Sequence, residues 1–170
     1  ISAAYAPGKG EYSTYPGCLI GELKRSGVTV ELNTTATDEK IKAFKADKVI
    51  LATGAVPNRP DIPGIDRPNV LFAENVLLGR DTAEGRIIVA GGGETGLETA
   101  LYLAYSERGE ISIVTSLARV AEHGDSIKRV QAMEIAAERG IHYITQTNLR
   151  EIRDDGVLLD LHEGADFRAL

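Results

Sequence analysis

The stretch RIIVAGGGETGLETA, residues 86–100, constrains the fold more than any other part of the chain. Within it Gly91, Gly93 and Gly96 spell G-x-G-x-x-G directly after an apolar run. Residues 87–90, Ile-Ile-Val-Ala, read as a buried strand, while Leu97, Ala100, Leu101 and Ala104 put an apolar stripe on the helix that follows. Strand, glycine turn and helix in that order open a dinucleotide-binding unit. Gly91 permits the tight turn, Gly93 keeps a Cβ away from the pyrophosphate, and Gly96 lets helix and strand pack closely. Gly92, Glu94 and Thr95 complete the turn and start the helix, whose free N–H groups and positive dipole end attract phosphate. A glycine turn also joins strands to helices for purely structural reasons; the flanking strand and stripe favour nucleotide binding here. Glu94 and Glu98 are early-turn acids of the kind that complement a helix dipole, so neither is assigned a catalytic role.

A fingerprint usually follows the first strand of its own domain, yet this one begins at residue 91, so something else precedes it. Leu19, Ile20 and Leu23 give an apolar helix face ended by Lys24-Arg25-Ser26-Gly27. Residues 28–32 alternate and are rich in β-branched side chains, and residues 48–52 form a continuous apolar run ending at Thr53-Gly54. Both are expected to be strands, the second a buried parallel one. Three prolines and a glycine between Val56 and Gly64 then make a stiff connection. Beyond it the expected order is strand 87–90, helix 95–106, strand 111–115, helix 126–139 and strand 141–145. Two short runs, 149–153 and 157–162, would be joined by a hairpin turn at Asp154-Asp155-Gly156. The expected fold class is α/β: a Rossmann-like NAD(P)-binding domain with a parallel sheet over residues 69–170, lacking its C-terminal end. It is attached to an incomplete FAD-binding lobe over residues 1–68.

Composition narrows the function. The 170 residues are 43% hydrophobic, enough to bury a core and too apolar for disorder. A net charge of -6 without a Lys/Arg cluster argues against nucleic-acid or anionic-membrane partners, and no apolar run approaches the roughly 18 residues of a membrane span. Cys18 is the sole cysteine and can form neither an internal disulfide nor a Cys-x-x-Cys redox centre, which fits a reducing, cytoplasmic compartment. His123, His142 and His162 lie about 20 residues apart without partners at ligand spacing, so no metal site is expected and each reads as a surface histidine. Tyr5-Ala-Pro-Gly-Lys9 spells Y-x-x-x-K, but Pro7-Gly8 prevents the helix that would align Tyr5 with Lys9.

Cofactor choice in a Rossmann unit is made after the second strand, where an acid would bind the ribose of NAD and an arginine the 2′-phosphate of NADP. The sequence offers Thr115-Ser116-Leu117-Ala118-Arg119: no acid, two hydroxyls and a cation. This leans toward NADP, with Thr115, Ser116 and Arg119 as candidate contacts.

The segment ADKVILATGAVPNRPDIPGID, followed downstream by RIIVAGGGETGLETALYL, resembles the C-terminal region of the NADH:flavin oxidoreductases that include 2,4-dienoyl-CoA reductase and 2-enoate reductase. More widely the layout is similar to pyridine-nucleotide-dependent flavoprotein reductases. AAYAPGK near the start resembles the segment after the family's first flavin-binding unit. The resemblance implies an NAD(P) domain inserted into an FAD domain, with Ala52, Thr53 and Gly54 where a strand approaches the flavin nucleotide. It implies a parent enzyme that passes a hydride from NAD(P)H to FAD and reduces an enoate or enoyl thioester. FMN and an iron–sulfur cluster would belong to a flavin barrel elsewhere in that parent. No catalytic acid or base is expected in this chain, because hydride transfer is the cofactors' own chemistry.

The family's FAD fingerprint, its barrel and its cluster cysteines are not in this sequence, and the start Ile1-Ser2-Ala3-Ala4 reads as excised from a longer chain. The isolated chain is therefore expected to purify colourless; stoichiometric flavin absorbance would contradict that. Two other readings are a non-catalytic NAD(P)-binding module and a fragment of a ferredoxin- or amine-dehydrogenase-type flavoprotein reductase. The proline-rich connection speaks against an isolated module, which needs no FAD-lobe strand.

Overall fold

The computed structural model describes residues 2–123 and 126–169. By its internal contacts the chain divides into a unit of Thr14–Pro57 and a larger one of Ile1–Ser13 with Asn58–Leu170. The smaller unit holds two helices, α1 (Tyr15–Arg25) and α2 (Asp38–Ala43). Pro16 sits at the start of α1, where its missing N–H costs nothing, and the Thr37 hydroxyl accepts the Lys40 N–H to start α2.

The two strands expected here do not form. Residues 28–32 and 48–52 carry no strand pairing, and Ile50 and Leu51 are 88% and 82% exposed. A β-branched run becomes a strand only when a neighbour takes up its N–H and C=O groups, and these segments have none among the described residues.

The larger unit begins with short 3-10 turns at Ser2–Tyr5 and Gly10–Ser13 and resumes after the proline-rich connection with α3 (Ala73–Leu77). Next come β1 (Gly85–Ala90), α4 (Glu94–Tyr105), β2 (Gly109–Val114), α5 (Ser126–Glu138), β3 (His142–Ile152) and β4 (Val157–Ala169). The sheet order is β1-β2-β3-β4, with the first two pairings parallel and the last antiparallel. This is the expected Rossmann-like α/β unit. Its core is Leu97, Ala100, Leu101, Leu103 and Ala104 of α4 against Ile111 and Ile113 of β2, Ala136 of α5 and Ile141. Arg139 stacks 4.2 Å from the centre of the Tyr105 ring and ties the ends of α4 and α5 together.

The run 149–153 is not a separate strand: it continues β3, and β4 pairs back along β3 as far as His142. The Asp154-Asp155 turn is where the sequence puts it, closed by the Arg153 N–H on the Gly156 carbonyl at 2.8 Å. Hydrogen bonds from Arg153 at 3.1 and 3.2 Å hold the Glu151 carboxyl below the usual carboxylate range.

The proline-rich connection is anchored to this hairpin. Ile152 N–H donates to the Pro63 carbonyl at 2.8 Å, Asn69 Nδ2 donates to the Arg153 carbonyl at 3.1 Å, and Arg67 pairs with Asp154. Gly64 takes φ +89, and a side chain there would overlap the Ile152 carbonyl. The approach of connection and strand thus needs a residue without a Cβ.

Candidate nucleotide site

The turn from β1 into α4 borders a groove of about 430 Å³ whose lining includes Ala90, Gly91, Gly93, Glu94, Thr95 and Gly96 together with Leu117, Ala121 and His123. Gly91 has φ +110, a conformation few side chains tolerate, and it ends the strand by donating its N–H to the Val114 carbonyl at 2.8 Å. A Cβ on Gly96 would overlap the Gly91 carbonyl and lie 3.7 Å from Val89 Cγ1, so helix and strand are as close as the motif requires.

Gly93 is different. A Cβ built on it meets no protein atom within 4 Å, so the space beside it is open toward the groove. As the N-cap of α4 it offers no side-chain acceptor to the first-turn N–H groups. Those donors and the positive dipole end point to an external anion. A cradle open at Gly93, uncapped donors and a groove of this size fit the pyrophosphate of a dinucleotide.

Gly92 has a role that sequence reasoning did not supply. Its Cβ position lies 2.7 Å from Thr115 Cβ, so the turn and the end of β2 touch. Thr115 is buried, and its hydroxyl accepts the Leu117 N–H at 3.2 Å. Three backbone bonds then fix the loop after β2: Gln146 N–H to Leu117 C=O at 3.0 Å, Thr147 N–H to Thr115 C=O at 3.0 Å, and Ala121 N–H to Gly92 C=O at 2.6 Å. The last brings the loop back onto the glycine turn, and Leu117, Ala121 and His123 of this loop line the groove. Of these three, only His123 was singled out in the sequence, as a surface histidine. It is exposed, yet it lines the groove. Its position in the loop after the second strand was the available signal.

The candidate residues do not all converge. Gly91, Gly93, Glu94, Thr95 and Gly96 line one groove, with Gly92 and Thr115 in contact beside it. Ser116 and Arg119 are exposed in the loop and are not among the lining residues. Ala52, Thr53 and Gly54 belong to the smaller unit, where all three are exposed and Gly54 has φ +81. Glu98, one turn beyond the site, pairs with Lys9 across 89 positions of sequence. The lysine of the Y-x-x-x-K stretch thus anchors the N-terminal segment to α4. His162 lies 2.7 Å from Asn148 Nδ2. Among the described residues no cluster of three metal-ligating side chains occurs, and no helix is long and apolar enough to cross a membrane.

A family model described as pyridine nucleotide-disulphide oxidoreductase matches residues 14–169. The NADH oxidase of Thermoanaerobacter brockii is 37% identical over 167 residues, 95% of this chain and 25% of that protein. The cinnamate reductase of Clostridium sporogenes is 45% identical over 94 residues, 55% of this chain and 14% of that protein. A solved 2-naphthoyl-CoA reductase in complex with 2-naphthoyl-CoA superposes with a TM-score of 0.80 at 25% identity, covering 99% of this chain and 25% of that one. The chain therefore spans a quarter or less of the length of these relatives. The glycine turn, the largely parallel sheet and the extent of the match agree: the chain belongs to the pyridine nucleotide-disulphide oxidoreductase family.

Proposed function

We propose that this chain is the nucleotide-binding part of a flavin-dependent oxidoreductase in which NAD(P)H supplies a hydride and FAD receives it. Family membership implies both cofactors. The observation that carries the reading is the groove over the β1–α4 turn, open at Gly93 and faced by uncapped helix donors. In this reading Gly91, Gly93, Glu94, Thr95 and Gly96 hold the pyrophosphate through backbone, and Gly92 and Thr115 set the position of the opposing loop. Residues 69–170 act as the NAD(P) domain and residues 1–68 as part of the FAD lobe, with Ala52, Thr53 and Gly54 approaching the flavin nucleotide. Titrating NADH and NADPH into the chain by calorimetry tests the reading: saturable binding supports it, and no binding of either contradicts it.

The finer assignment is to an enoate- or enoyl-CoA-reducing enzyme of the NADH:flavin oxidoreductase type, in which other segments would hold FMN and an iron–sulfur cluster. It is supported by a relative named cinnamate reductase and a structural neighbour named 2-naphthoyl-CoA reductase. We infer a cytoplasmic location from the lone Cys18.

We further propose NADPH as the preferred reductant, through Arg119. A charge-assisted bond to a 2′-phosphate is worth roughly 1.5 to 3 kcal/mol. Arg119→Ala is therefore expected to weaken NADPH binding about ten- to a hundredfold and to leave NADH nearly unchanged. Titrations at fixed salt check this. Equal losses, or none, would return Arg119 to the solvated surface.

A further inference from the structure

We propose that His123 is a phosphate-contacting residue of the nucleotide site, a role that rests on the nucleotide-binding reading above. Four observations carry it. The Ala121 N–H to Gly92 C=O bond at 2.6 Å brings the segment around residue 121 against the glycine turn, and His123 lines the same groove as Gly91, Gly93 and Glu94. Among the described residues lining that groove, His123 has the one side chain that can carry positive charge; the rest are apolar or small residues, Thr95 and Glu94. Glu94 is the acidic residue of the lining, so an entering phosphate gains from a donor elsewhere in the groove. Finally, the end of β2 carries no acid, and Thr115, whose hydroxyl accepts the Leu117 N–H, is buried and is not among the residues lining the groove. Of the loop residues that line the groove, Leu117, Ala121 and His123, only the last has a polar side chain. An imidazole N–H donating to a phosphate oxygen has the right chemistry for this place.

Two phosphates of a dinucleotide could meet His123: the pyrophosphate, present in both cofactors, and the 2′-phosphate, present only in NADPH. Calorimetric titration of NADH and NADPH into the wild-type 170-residue chain and its His123→Ala and His123→Gln variants separates them. The alanine variant is expected to bind about tenfold more weakly, and glutamine, which keeps an N–H donor, to lose less. Equal losses for both nucleotides identify the pyrophosphate; a loss for NADPH alone identifies the 2′-phosphate. Unchanged affinity for both in an alanine variant with a wild-type circular dichroism spectrum overturns the proposal and leaves nucleotide binding standing. Wild type binding neither nucleotide overturns the nucleotide-binding reading itself, and this proposal with it.

Discussion

Gly96→Ala is expected to unfold or severely destabilise the larger unit. The added methyl group would overlap the Gly91 carbonyl oxygen and crowd its carbon, both of them backbone atoms. Neither can rotate away as a flexible side chain would. Relief needs α4 to move off β1, which opens the core at Leu97, Ala100 and Leu101, all nearly inaccessible to solvent. Overpacking against immobile backbone puts the cost at about 3 kcal/mol or more, a melting shift on the order of 10 °C for a unit of this size. Thermal melts followed by circular dichroism measure it. A variant melting with the wild type would mean that helix and strand are not in the close contact described.

Much of this unit is written in the chain at short range. Periodicity and the glycine turn locate β1, α4, β2 and α5 within a residue or two, and Asp154-Asp155-Gly156 locates the hairpin. What escapes is long-range. Residues 28–32 and 48–52 have strand composition but no paired neighbour among the described residues, and composition alone cannot satisfy a backbone. The merging of 149–153 into one long β3 depends on β4, which follows it in sequence.

In the site, the roles of Gly91 and Gly96 were legible because they are local to the turn. The fold-back of residues 117–123 was not, because it rests on contacts to Gly92 and to β3, the latter some 30 positions away. His123 accordingly looks like a surface residue in sequence and a groove residue in three dimensions. Glu98 carries a similar lesson: its partner Lys9 lies 89 positions away, so no local rule could supply it.

The second large effect falls on binding and leaves the fold intact. A side chain at Gly93 begins in open space, with no protein atom within 4 Å of its Cβ, and the backbone there is at φ -73, which any residue adopts. Gly93→Val should therefore fold and melt close to wild type while filling the cradle over the first turn of α4. Excluding the pyrophosphate forfeits its backbone hydrogen bonds together, so NADH and NADPH affinity should each fall at least about a hundredfold. Gly93 and Gly96 thus form a contrast: neighbours in one motif, one beside open space and one packed against backbone.

Titrating NADPH and NADH into wild type and Gly93→Val side by side, each checked by thermal melt, decides whether the groove at this turn is the dinucleotide site. Saturable binding to wild type, loss of it in the variant and nearly coincident melts are expected. Wild-type affinity in a folded Gly93→Val variant would contradict that assignment of the groove.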